Sequence, residues 1–128
     1  MRSRYLILGT IVVTLTLFLT SCSNAPKTNR TIIGELKPNS QITQDFSKFS
    51  GTESYKFTIS KESTLKTSLK LRTGKTSITI VDENNNEYLN INSPLEQEIT
   101  LSPNIEKVYY IDLKYDNGVG TYSFELND

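Results

Sequence analysis

Histidine is absent from the 128 residues, and cysteine occurs once, at Cys22. Without an imidazole, the Ser-His-Asp and Cys-His arrangements that activate a nucleophile cannot be built. A Ser-Lys pair is conceivable, but no spaced motif singles one out. Catalysis by paired carboxylates needs two acids converging in a cleft. Glu96 and Glu98 lie on one strand face about 7 Å apart, beside an expected loop, and are read as solvated. The oxygen-rich run Asp82-Glu83-Asn84-Asn85-Asn86-Glu87 has donors that suit calcium. A loop of the EF-hand kind would need Gly sixth and Glu twelfth; here those places hold Glu87 and Ser93. The run is read as a polar turn, because Asn and Asp tolerate left-handed backbone and cap themselves. No catalytic residue, metal ligand or cofactor is assigned, and the chain is read as a non-enzyme.

The remaining candidates are side chains that bind rather than react. Tyr110 falls on the strand phase opposite to Tyr109, Ile111 and Leu113, so it should face outward. Tyr88 neighbours the Asn-rich turn. Exposed aromatics suit a sugar- or protein-binding surface, so Tyr88 and Tyr110 are the candidate ligand-binding residues. The bland alternative is isolated surface tyrosines. Lys66, Lys70 and Arg72 along one strand face could meet an acidic polymer; such lysines more often guard a solvated face or edge.

The N-terminus states an address. Arg2 and Arg4 form a short positive region, and residues 5–20 carry no charge. As a helix, that stretch would span about 24 Å, short of the roughly 30 Å hydrocarbon core. Charge, length and small residues at the cut match a signal peptide. The box Leu19-Thr20-Ser21-Cys22 is similar to the lipobox of bacterial lipoproteins. That resemblance implies that residues 1–21 are removed and that Cys22 becomes a lipidated N-terminus. The alternatives are an ordinary cleaved signal with an incidental Cys, or an uncleaved anchor. One acyl chain binds a bilayer marginally, whereas two or three hold firmly. The implied location is the cell membrane, lipid-anchored, on the extracytoplasmic side.

After such a cleavage 107 residues remain, enough for one domain with its own core. Twelve basic side chains then face fourteen acidic ones, a net of about −2, with the signs interspersed. Nothing in that pattern suggests nucleic acid or a polybasic membrane patch. Lipidation would consume the lone thiol, so the domain would fold without a disulfide. Residues 22–30 are small and polar and read as a lipidated N-terminus and flexible tether. Residues 31–128 read as the domain.

Its pattern has period two throughout, with no stretch of period 3.6. The clearest strands are residues 54–60 (Tyr55, Phe57, Ile59 on one face), 64–72 (Leu65, Leu69, Leu71) and 76–82 (Ile78, Ile80). Residues 31–37, 41–46, 87–92 and 97–101 are weaker candidates. Residues 108–115 put Tyr109, Ile111, Leu113 and Tyr115 on one side, and residues 120–127 do the same with Tyr122, Phe124 and Leu126. Asn117-Gly118 between them predicts a tight hairpin. Eight or nine short strands with one apolar face each predict an all-β, antiparallel, jelly-roll-like sandwich.

The order of signals also resembles the bacterial prepeptidase C-terminal domain over about residues 33–126. The likeness is carried by Gly34-Glu35-Leu36, by Ser54-Tyr55-Lys56-Phe57-Thr58-Ile59, and by Ser77-Ile78-Thr79-Ile80-Val81-Asp82-Glu83-Asn84. It ends with Val108-Tyr109-Tyr110-Ile111-Asp112-Leu113 and Gly120-Thr121-Tyr122-Ser123-Phe124. The resemblance implies a small jelly-roll-like β-sandwich. Some members bind calcium or target enzymes to matrix; their calcium residues have no clear match here, and none is carried over. The functional expectation is a membrane-anchored, non-catalytic binding module. Its partners would be the lipid bilayer, through acylated Cys22, and an envelope protein or cell-wall polymer. The alternatives are a structural accessory of a membrane complex, or a surface lipoprotein that interferes with phage or bacteriocin entry.

Overall fold

Period-two alternation becomes strand along most of the described chain. The computed structural model describes residues 30–128, and they form six strands and no helix. These are β1 (Ile32–Glu35), β2 (Ser40–Ile59), β3 (Ser63–Asp82), β4 (Glu87–Ile91), β5 (Leu95–Leu101) and β6 (Lys107–Asn127). Among the described residues no helix is long and apolar enough to cross a membrane.

Three strands are far longer than the sequence pattern suggests. β2 and β3 each run for 20 residues and β6 for 21. β6 is the central strand, antiparallel to β2 on one side and to β3 on the other. Residues 119–126 of β6 pair with residues 40–47 of β2; residues 107–115 pair with residues 51–59. β3 divides in the same way, and β5 extends its first half while β4 extends its second. β1 adds to the second half of β2, and that pair is parallel. An all-antiparallel sheet therefore describes every pairing except this one.

The long ladder folds back on itself. Tyr55 is paired with Ile111, yet its ring lies 6.0 Å from that of Tyr122 and 5.8 Å from that of Phe124. Eleven residues of straight strand would separate Ile111 from Tyr122 by about 36 Å. The two halves must therefore face each other as the layers of a sandwich. Four strand segments form one layer and five the other, so the expected eight or nine runs are present, on six continuous strands. The side chains read as inward from the alternation make the core: Phe57, Leu65, Leu69, Ile78, Ile80, Tyr109, Ile111, Leu113, Tyr122, Phe124 and Leu126 are all essentially inaccessible.

The passage between layers is made by bulged bends. Register shifts occur between Ser47 and Gly51 in β2, and between Leu71 and Lys75 in β3. Positive φ angles mark the same level: Lys48 (52°), Gly51 (139°), Gly74 (75°) and Asn117 (55°). At the bend β3 and β6 touch backbone to backbone. A Cβ on Gly74 would run into the carbonyl of Asn117, and one on Gly118 into the Thr76 hydroxyl oxygen.

The hairpin predicted at Asn117-Gly118 is not formed; the strand continues through it. A tight primed turn of type I′ needs positive φ at both central residues. Here only Asn117 has it. One left-handed residue makes a bulge, which bends a strand instead of reversing it.

Candidate functional site

The polar run after β3 is organised by one carboxylate. Asp82 is completely buried. Its Oδ1 accepts the backbone N–H groups of Asn84 (2.8 Å) and Asn86 (3.0 Å). Its Oδ2 accepts the Asn86 side-chain amide (3.1 Å) and the Tyr88 hydroxyl (2.8 Å). Lys107 Nζ stands 3.7 Å away. Burial alone would raise this carboxyl's pKa, but the bonds from Asn86, Tyr88 and Asn84 outweigh it and lower it to about 2. With four donors on its two oxygens, Asp82 is the keystone of a turn. Among the described residues no group of three or more acids, His or Cys could hold a metal.

Tyr88 belongs to this turn. Its hydroxyl is spent on Asp82, and its ring packs edge-on against Tyr109 at 5.5 Å. The residue stays 39% exposed. Tyr110 lies on the opposite face from its neighbour Tyr109, as the alternation requires. The guanidinium of Arg30 covers it, 4.3 Å from the ring centroid. The two candidate tyrosines therefore have different neighbours: the Asp82 turn and Tyr109 for Tyr88, the Arg30 guanidinium for Tyr110.

Arg30, the last residue of the expected tether, is docked on the sandwich. Its guanidinium meets Asp112 in a forked pair at 2.9 and 3.1 Å and reaches Asn85 Oδ1 at 3.2 Å. Ser54 Oγ donates to the same Asp112 carboxylate at 2.7 Å. This cluster explains why Ser54, on an outward phase, is buried.

The basic strand face is charge-balanced where β5 borders it. Lys66 lies between Glu98 of β5 and Glu125 of β6, with Nζ 3.8 Å from the Glu125 carboxylate. Glu96 is opposite Ser68. Glu96 and Glu98 line an open polar groove of about 480 Å³ with Lys66, Ser68, Ser123 and Glu125. Lys70 and Arg72 flank a neighbouring groove with Asp45 and Thr121.

One site was not singled out from the sequence. Where the layers open beside β1 and β2, a cleft of about 380 Å³ is lined by Phe46, Phe49, Tyr55, Tyr115 and Tyr122. Phe46 packs on Tyr115 (5.1 Å, edge-on) and stacks on Tyr122 (5.8 Å); Phe49 meets Tyr115 edge-on at 4.9 Å. The rim carries two exposed apolar residues, Ile33 (39%) and Phe49 (40%). Gln44, Ser47 and two acids, Asp45 and Glu53, complete the lining. Asp45 is engaged by the Thr121 hydroxyl at 2.7 Å. Glu53 shares the inward phase of Tyr55 and Phe57, is partly buried, and lines the cleft beside Tyr55, Tyr115 and Tyr122. Burial raises the pKa of Tyr55, Tyr115 and Tyr122, and the Glu53 charge raises each further. Among the described residues Glu53 has no ion pair with a Lys or Arg. Three of the five rings were legible as inward residues. Their convergence with Glu53 was not, because it depends on bends that bring distant strand segments together.

Cys22 and the signal segment lie outside the described residues.

No protein-family model and no curated protein matches the chain. Among solved structures, the pre-peptidase C-terminal domain of a collagenase from Bacillus anthracis is similar. It has a TM-score of 0.56 and 21% identity, covering 77% of this chain and 99% of that one. A surface-associated copper-binding protein of Methylomicrobium album aligns at a TM-score of 0.46 and 12% identity over 77% of this chain and 98% of its own. A periplasmic inhibitor of g-type lysozyme from Aeromonas hydrophila aligns at 0.41 and 8%, over 77% and 97%. The last two scores are too low to argue a shared fold. The collagenase domain is matched over nearly its whole length, and this chain shares the β-sandwich fold of that pre-peptidase C-terminal domain.

Proposed function

We propose that this chain is a lipoprotein anchored at the extracytoplasmic face of the cell membrane, and that its sandwich is a non-catalytic binding module for another envelope component. The observation that supports binding is the aromatic cleft beside β1 and β2. It is open, lined by five rings, and rimmed by exposed Ile33 and Phe49. Exposed aromatic and aliphatic side chains around a concavity are what a recognition surface uses. The absence of His from the sequence and the commitment of Asp82 to its turn support a non-catalytic role. The lipobox-like Leu19-Thr20-Ser21-Cys22 supports the anchor.

Two experiments test the two halves. Cys22→Ala should abolish fatty-acid labelling and release the protein from membranes; persistent labelling would remove the anchor. A photo-crosslinking amino acid at Phe49 should capture a discrete envelope component in living cells, and the same probe at Lys70 should not. Equal yields at both sites would count against the cleft as the binding surface.

A further inference from the structure

Resting on the binding-module reading, we infer that the aromatic cleft takes an organic cation: an ammonium or guanidinium group on an aliphatic stem. Glu53 is a half-buried acid on the inward phase of β2, paired across the ladder with core residue Leu113. An ionised carboxylate turned toward an apolar layer is unfavourable unless a partner compensates it. Asp82, the other inward acid, is held by four donors and faced by Lys107. Glu53 lines the cleft with Tyr55, Tyr115 and Tyr122 and has no ion pair among the described residues.

The walls suit the same charge. Glu53 shares the cleft lining with exposed Phe49, partly buried Phe46 and the buried rings of Tyr55, Tyr115 and Tyr122. Ring faces attract a cation held within about 6 Å of their centroids. The Glu53 carboxylate in the lining then supplies a charge-assisted hydrogen bond. The fold already uses this pairing once, where Arg30 covers Tyr110 at 4.3 Å. The volume of about 380 Å³ admits a lysine-sized stem and head group. Apolar Ile33 and Phe49 at the rim would cover the stem. A neutral sugar would use the rings but leave the charge of Glu53 uncompensated, so the cation is the better match.

The test uses the full-length protein in lipid nanodiscs and saturation-transfer NMR. The probes are N-acetyl-lysine methylamide, its neutral isostere N-acetyl-norleucine methylamide, choline and methyl glucoside. Binding by the lysine probe, choline or both is expected, at least about tenfold tighter than the neutral probes; a preference for the lysine probe identifies a polypeptide side chain as the source, and for choline a free small cation. Glu53→Gln should weaken the cation at least about tenfold, a step worth about 1.4 kcal/mol. Phe49→Ala, at an exposed position that leaves the core intact, should weaken it as well. Thermal melts of both variants verify folding. Equal binding of neutral and cationic probes, no binding of either cation, or an unchanged affinity in both variants would overturn the inference. If Phe49 crosslinks a partner while the cation preference is absent, the binding-module reading stands and only the cation assignment fails.

Discussion

The hydroxyls of Tyr55 and Tyr122 meet at 2.8 Å across the sandwich, although the residues are 67 apart in the chain. One stands on the second half of β2 and the other on the second half of β6. Their bond joins the two layers at the floor of the aromatic cleft. It links the integrity of the fold to the shape of the site.

Removing the Tyr122 hydroxyl takes away the hydrogen-bond partner of buried Tyr55, and removing the Tyr55 hydroxyl breaks the same bond. Tyr55→Phe or Tyr122→Phe should each destabilise the domain by about 1–2 kcal/mol. The double variant should cost less than the sum, because it leaves no orphan. Urea denaturation in a double-mutant cycle measures this; additive losses would show that the bond adds no coupling.

These tyrosines also set an alkaline limit. Burial, aided by the Glu53 charge, raises the pKa of Tyr55, Tyr115 and Tyr122. A group with a raised folded-state pKa stabilises fully below its unfolded value and loses that contribution as pH rises through the folded value. The unfolded value is about 10. Stability should therefore fall as pH climbs above about 10, with these tyrosines ionising together with unfolding. Ultraviolet tyrosinate titration, followed alongside circular dichroism, separates this from independent surface ionisation.

Asp82 sets the acid limit with the opposite sign. Its pKa is lowered to about 2, against about 3.9 when unfolded. Its contribution, on the order of 2 kcal/mol, is complete above about pH 4 and is lost as pH falls toward 2. Asp82→Asn should lower the neutral-pH stability by a similar amount and flatten the acid limb of the stability curve. An acid limb unchanged in that variant would place the acid sensitivity elsewhere.

At Gly74 the bend between layers leaves no room for a side chain. Gly74→Ala combines a left-handed φ with overlap on the Asn117 carbonyl. A loss of at least about 2 kcal/mol is expected. Gly51→Ala is the comparison: its φ is also unfavourable, but its neighbours are atoms of the Phe49 ring at 3.4 Å or beyond, so it should cost less. Equal losses at the two positions would mean that conformational strain, not backbone contact, sets the penalty.

Arg30 fastens the start of the sandwich. Arg30→Ala removes the fork on Asp112 and the cover on Tyr110. The expected cost is about 1 kcal/mol, modest because Asp112 remains partly exposed. Arg30→Lys should recover little, since an ammonium cannot make the planar fork. Hydrogen exchange at the Ser54 amide, which donates to the Thr31 carbonyl at 2.9 Å, should quicken in both variants.

Much of the interior was readable from alternation alone. Tyr109, Ile111, Leu113 and Tyr115, then Tyr122, Phe124 and Leu126, fall inward because side chains alternate with period two wherever a strand runs. The same rule placed Tyr110 outward. The Asp82 run was legible as a turn because Asp and Asn side chains bond their own backbone. All of these are local properties of one strand or one loop.

Asn117-Gly118 shows where local chemistry stops. Both a hairpin and a bulged bend use a left-handed residue there, and the choice belongs to the neighbours. Each half of β6 pairs with β2 on one side and β3 on the other, and these long-range ladders outweigh one two-stranded turn. The aromatic cleft has the same origin. By itself the sequence determined the faces of the strands and the polar turn. Only the tertiary structure decided which faces meet, because bends at Gly51, Gly74 and Asn117 carry three adjacent strands across both layers and bring Phe46, Tyr115 and Tyr122 into one cleft with Glu53.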